Sequence, residues 1–263
     1  MGRPITSREY KLMLNVDRFA DPARGAAELW NVTKFILAKL EGKVVEEQQE
    51  EDERRTWYLD TDGAVLRARG LTLRVRDEGK KHKVTLKLRA ADRYVAAAAD
   101  LTTTADKAEW KFEEDILPPF ASRFAHSVSV GTKSLPPLAT IADLATLFPK
   151  APPALPAGTP LEVVNGFRAH EVARKLAKVS FEESTTVKLA LSFWYLRGER
   201  GEYPVVGELS FDYDVVDGAA RGAETFPERV VSGASAFFAA LQRQSGWFDL
   251  SGTTKTAAAY DAF

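Results

Sequence analysis

Between Arg67 and Arg93 ten cations, Arg67, Arg69, Arg74, Arg76, Lys80, Lys81, Lys83, Lys87, Arg89 and Arg93, meet only three anions, Asp77, Glu78 and Asp92. Their spacing is as informative as their number. In Leu71-Thr72-Leu73-Arg74-Val75-Arg76 the apolar residues alternate with Thr72, Arg74 and Arg76, and Val84-Thr85-Leu86-Lys87-Leu88-Arg89 repeats the pattern. Side chains of a strand point to alternate faces, so each segment has one apolar and one basic face. A single Lys11 or Arg74 is more often surface charge; a shared face is what makes these residues candidates for phosphate binding. There Arg acts as a bidentate fork and Lys as a point charge.

Carboxylates follow the same alternation elsewhere. Glu109, Lys111 and Glu113 oppose Trp110 and Phe112, and Glu208, Ser210 and Asp212 oppose Leu209 and Phe211. A sheet curled with these faces inward would enclose a channel of both signs, suited to a polyanion and a hard divalent cation on oxygen ligands. On a flat sheet the same faces would be solvated surface, and Glu113 and Asp212 would be ion-pair partners of neighbouring cations.

The elements that must position these residues are legible in part. Residues 8–16 alternate as a strand; Asp21-Pro22 opens a helix over 22–41 that uses Leu29, Val32, Ile36 and Leu40. The acidic run 46–53 reads as a solvated stretch or exposed edge strand. Strands are predicted over 56–61, 70–77, 82–90 and 108–116, the 70–77 and 82–90 pair forming a hairpin. Two proline-rich breaks, at Leu117-Pro118-Pro119 and 150–160, flank a helix over 141–148 capped by Thr140. Further strand character lies in 161–164, 168–182, 186–196 and 205–215, followed by a helix near 227–244 and a small, polar, peripheral tail. The expectation is one domain over 1–263, with strand-rich halves of about 5–116 and 160–215 joined by the helical segment. Two open four-stranded sheets and one closed antiparallel barrel both fit these elements.

Composition removes other chemistries. The 263 residues hold 36 Lys and Arg against 37 Asp and Glu, a formal net charge of −1, so charge-driven function must come from local segregation. Cys 0 excludes thiolate nucleophiles and cysteine-ligated zinc, and three histidines (His82, His126, His170) argue against a histidine metal site. His82 and His170 read as turn or surface residues. No apolar signal segment opens the chain and no stretch is long enough to span a membrane, so a cytoplasmic protein without membrane or nucleic-acid partners is expected.

These residues resemble the CYTH family, the triphosphate tunnel metalloenzymes. Ser7-Arg8-Glu9-Tyr10-Lys11 is similar to the family's opening Glu-x-Glu-x-Lys, and Tyr58-Leu59-Asp60-Thr61 to its Tyr-Phe-Asp-Thr. The most specific match is Gly70-Leu71-Thr72-Leu73-Arg74-Val75-Arg76 followed by Val84-Thr85-Leu86-Lys87, while Gly207-Glu208-Leu209 is similar to the start of a late Glu-rich strand. The resemblance implies an α+β fold, an eight-stranded antiparallel β-barrel or tunnel with helices packed outside. It also implies a bound triphosphate or polyphosphate and Mg²⁺ or Mn²⁺ as cofactor. Carried over by position, Lys11, Arg74, Arg76, Lys87 and Arg89 would hold phosphates, with Arg168 and Lys188 adding contacts from the second half, where Arg174 and Lys178 compete. Glu9, Glu109 and Glu208 would be metal ligands, Glu9 and Lys11 the catalytic residues, and Lys255 a candidate plug.

Three expected anions are neutral: Ser7 in the opening motif, Ser192, and Ser210 in the late strand. A hydroxyl can hydrogen-bond metal-bound water but brings no charge. Two functions therefore compete, a metal-dependent hydrolase of a triphosphate-containing substrate and a non-catalytic binder of triphosphate or polyphosphate with a depleted metal site. Cyclase or RNA-end chemistry would need base-recognition features that the sequence does not display.

Overall fold

The computed structural model describes residues 3–151, 154–183, 185–196, 203–214, 226–244 and 246–261. Its strands are β1 (Ser7–Leu14), β2 (Lys43–Glu47), β3 (Glu51–Asp60), β4 (Leu71–Asp77), β5 (His82–Ala90), β6 (Ala108–Leu117), β7 (Ala121–Thr132), β8 (Glu162–Glu182), β9 (Thr185–Tyr195), β10 (Pro204–Asp214) and β11 (Phe248–Asp249). Nine of them close into a barrel in the order β10-β9-β8-β3-β4-β5-β7-β6-β1, with β1 returning to β10; β2 extends β8 and β11 extends β1 outside the ring. The fold class is thus α+β with a closed tunnel, as expected, but with nine strands in place of eight. The expected strand at 205–215 ends at Asp214, Val215 lying outside the described residues.

The strand missing from the sequence reading is β7. Its outward Val128 and Val130 and inward Ser127 and Ser129 do alternate, yet Arg123 is its one charged residue on the cavity, so the alternation carries little of the signature of the other strands. An odd number of strands also has a geometric consequence. A ring in which every neighbour runs antiparallel must contain an even number, so one seam has to be parallel, and β1 with β6 is that seam, pairing Ser7 with Glu113 and Glu9 with Asp115.

Helices cover the apolar outer faces. Helix α1 (Pro22–Lys39) is capped by Asp21, whose carboxylate accepts from the Arg24 N–H at 3.1 Å. It packs with α5 (Glu228–Gln242) over β1, β8, β9 and β10, burying Leu29, Phe237 and Phe238 against Tyr10, Leu12 and Phe211. Tyr10 stacks on Phe211 with ring centroids 4.7 Å apart. On the opposite side α2 (Val65–Ala68) and α4 (Ile141–Leu147) place Leu66, Ile141 and Leu144 on Leu73, Val75, Val84, Leu86 and Val128. Each fully buried side chain of this size contributes roughly 1.5–3 kcal/mol, so the apolar rows anchor the strands and leave the polar rows facing in. A short α3 (Arg93–Ala98) lies against β5 and β7.

The tail does not stay peripheral. It forms α6 (Lys255–Asp261), which contacts β8 and β10, and Thr254 to Ala257 line the barrel interior. No described helix is long and apolar enough to cross a membrane.

Candidate functional site

The interior is a cavity of about 520 Å³ into which ten Lys and Arg side chains project against five glutamates. Strand register creates this surplus. Arg74 lies beside Tyr58 on β3 and Thr85 on β5, Arg76 beside Thr56 and Lys83, and Lys87 beside Thr72, so one inward face carries the whole basic row. Gly70 sets where β4 begins: it has φ +73°, and a Cβ there would stand 2.6 Å from the Arg89 carbonyl oxygen.

The basic wall is under-compensated. Arg74 makes no ion pair among the described residues, and Arg76 reaches Glu171 only at 3.6 Å. The Nε atoms of Arg74, Arg76 and Arg89 are buried with no acceptor. Burial, followed by the neighbouring Arg74 guanidinium, pulls Arg76 down to about 9. Lys87 is also lowered, because burial outweighs the pull of Asp115. Buried donors without partners are rare in native interiors, so this wall keeps donor capacity for further acceptors.

Two anionic centres balance part of it. Asp115 on β6 is fully buried and receives Lys11 at 2.7 Å, Arg89, and Lys87 at 3.7 Å. Burial acts to raise its pKa, but Lys11, Lys87 and Arg89 hold the carboxyl far below the usual range. The second centre is Glu171 on β8, also fully buried, which accepts from Arg54 at 2.9 Å, Thr56 at 2.7 Å and Lys255 at 3.2 Å. These cations likewise outweigh burial and keep Glu171 well below its ordinary value.

Among the described residues one group of carboxylates could hold a divalent cation. Glu9, Glu113 and Asp115 bring carboxylate oxygens within 4.8 Å of one another, an all-oxygen set that suits Mg²⁺ or Mn²⁺. Ser7 adds a hydroxyl that donates to Glu113 at 3.3 Å. Opposite Glu9 across the β1–β10 seam stands Asp212, whose carboxyl is pushed up to about 7 by burial and then by Glu9. Lys188, 3.9 Å away, acts in the opposite direction but does not outweigh burial.

Of the residues singled out from sequence, Glu9, Lys11, Arg74, Arg76, Lys87, Arg89, Glu109 and Glu208 all line the cavity. Glu109 sits at the rim, its side chain 67% exposed and paired with Lys83 at 2.6 Å, while Glu208 is paired with Lys255 at 3.2 Å. Neither belongs to the carboxylate group around Glu9. Arg168 and Lys188 lie outside the cavity lining: Arg168 stacks over the Trp57 ring at 4.5 Å, and Lys188 pairs with Asp214 at 2.6 Å. The competing Arg174 and Lys178 pair with Glu51 and Glu46 on the exposed β2–β3 side. Asp115, Glu171 and Arg54 were missed. Asp115 could have been found by extending the Glu109, Lys111, Glu113 alternation one step further, whereas nothing in the mixed sequence of β8 marks Glu171 as inward.

No family model matches the chain, and no curated protein matches it. Similar solved structures include HpAC1 from Hippeastrum, described as having a dominant triphosphatase activity, at 13% identity over 97% of this chain and 94% of that one, TM-score 0.48. Another is a Bacillus halodurans protein assigned as an adenylate cyclase, at 12% identity over 100% of both chains, TM-score 0.41. The motifs at Ser7 to Lys11 and Gly70 to Lys87, which resemble those of the CYTH family, lie on strands of one closed barrel, with Glu9, Lys11, Arg74, Arg76 and Lys87 lining its cavity.

Proposed function

We propose that this protein is a metal-dependent phosphohydrolase that takes the triphosphate group of an inorganic or organic substrate into the barrel. The observation that carries this reading is Arg74, an inward guanidinium without a carboxylate partner among the described residues, in a wall whose buried Nε donors lack acceptors there. Arg74, Arg76, Lys87 and Arg89 would bind and orient the phosphoryl oxygens, each charge-assisted bond fixing the chain of phosphates along the wall. Lys11, held between Glu9 at 2.8 Å and Asp115, would present its ammonium to the phosphate nearest the carboxylates. Glu9 would orient the attacking water and accept its proton at a carboxylate oxygen. When bound on Glu9, Glu113 and Asp115, Mg²⁺ or Mn²⁺ would offset charge on the phosphoryl oxygens.

A second reading, binding without turnover, is favoured by one specific feature: Asp115 is already engaged by three cations, and Ser7 adds no charge beside it. Phosphate release from tripolyphosphate, ATP and thiamine triphosphate with each metal separates the two. Hydrolysis that Glu9→Gln abolishes and Ser7→Glu increases is the expected result. Heat stabilisation by tripolyphosphate without phosphate release, unaltered by Ser7→Glu, would leave the binder.

A further inference from the structure

The part of the cavity lined by Glu171 and Glu208 already holds a cation, and it belongs to the chain. The Lys255 ammonium, at the start of α6, lies 3.2 Å from Glu171 Oε1, 3.2 Å from Glu208 Oε1 and 2.5 Å from Ser192 Oγ. These three oxygens come from β8, β10 and β9, so one point charge joins three strands of the wall. Glu171 and Glu208 are almost wholly buried and need counter-charge; Arg54 at 2.9 Å and Arg76 at 3.6 Å also serve Glu171, whereas Lys255 is the cation paired with Glu208 among the described residues.

The lysine is held there from outside the barrel as well. Tyr260 donates to Asp60 at 2.9 Å, Arg67 pairs with Asp261 at 3.1 Å, and Asn165 donates to the Tyr260 carbonyl at 3.0 Å. Asp60 in turn accepts from the Leu66 and Arg67 backbone N–H groups. Helix α6 is thus fastened at its far end while its first residue reaches into the cavity. A hydroxyl at position 192 leaves the ammonium two carboxylates to balance instead of three.

We propose that Lys255 is a built-in monovalent cation that fills the Glu171–Glu208 end of the cavity in place of a second divalent ion. Its consequence for the mechanism, resting on the reading under which Glu9, Glu113 and Asp115 take a divalent cation, is that the protein works with a single metal. The full chain and its variants can be titrated with Mn²⁺ alone, counting bound ions by electron paramagnetic resonance and calorimetry. Lys255→Met should bind one Mn²⁺ more than the wild type; Lys255→Arg and the double variant Lys255→Met/Glu208→Gln should bind the wild-type number. A folded Lys255→Met that gains no Mn²⁺, or a gain that survives Glu208→Gln, overturns the proposal. If Lys255→Met is too unstable to titrate, Mn²⁺ should raise its melting temperature by more than it raises that of the double variant, which keeps only the Glu9, Glu113 and Asp115 site; equal responses overturn it. A wild type that binds no Mn²⁺ refutes the metal-dependent reading instead, while the difference between wild type and Lys255→Met still decides the role of Lys255.

Discussion

Two parts of the barrel use the same residue types to opposite effect. On the β2–β3–β8 side, Glu46, Glu50 and Glu51 meet Lys178, Lys175 and Arg174 one for one across the strands, in water. On the β4–β5 wall, Arg76, Lys87 and Arg89 crowd inward with Asp115 and Glu171 as their buried counter-charges, while Arg74 has no ion pair among the described residues. The first arrangement is self-satisfied and screened, so it has nothing to offer a ligand. The second retains positive charge where water is scarce, which is the condition under which an incoming polyanion replaces missing partners. Pairing and burial, rather than charge density, separate a solvated face from a site.

Breaking the buried pole should give the largest effect. Asp115→Asn leaves Lys11, Lys87 and Arg89 facing one another without their shared carboxylate, and should destabilise the fold by about 3–5 kcal/mol in chemical denaturation. Acid should act through the same groups. Asp115 and Glu171 have folded pKa values below their unfolded ones, so their stabilisation is complete above about pH 4 and is lost as pH falls through the folded values. Wild-type unfolding below pH 4 should therefore be steep, and shallower in Asp115→Asn. A variant as stable as wild type would remove Asp115 as the anchor of the wall.

Arg74→Ala tests the unpaired side of the comparison. It removes a half-buried guanidinium with no ion pair among the described residues, so thermal stability in the absence of ligand should change little or rise. Tripolyphosphate affinity, measured by calorimetry at fixed salt, should fall by roughly 1–3 kcal/mol. Loss of stability with unchanged affinity would return Arg74 to a structural role.

The smallest effect belongs to the exposed ladder. Glu46 and Lys178 approach to 2.6 Å, but with half-exposed side chains in solvent such a pair is worth about 0–1 kcal/mol. Lys178→Ala should leave tripolyphosphate affinity unchanged and move the melting temperature only slightly, less at high salt. An affinity loss comparable to that of Arg74→Ala would erase the distinction between the two regions.

Local pattern determined much of this protein. Period-two alternation in β4, β5, β6 and β10 settles which side chains share a face, and the Asp21-Pro22 and Thr140 caps mark where α1 and α4 begin, because these depend on neighbours within a few residues. Tertiary structure alone decided the rest. Closure brings Glu9 beside Glu113 and Asp115, which are over a hundred residues away, and turns Arg168 and Lys188 from the cavity although their residue types suited it equally well. The β7 strand, with inward Ser127 and Ser129 and the single cation Arg123, closes the ring without an alternating charge signature, and a short tail delivers Lys255 to Glu171 and Glu208. Sequence assigns a residue to a face; which faces meet, and which charges find partners there, depends on long-range register and on how the burial cost of each ion is met.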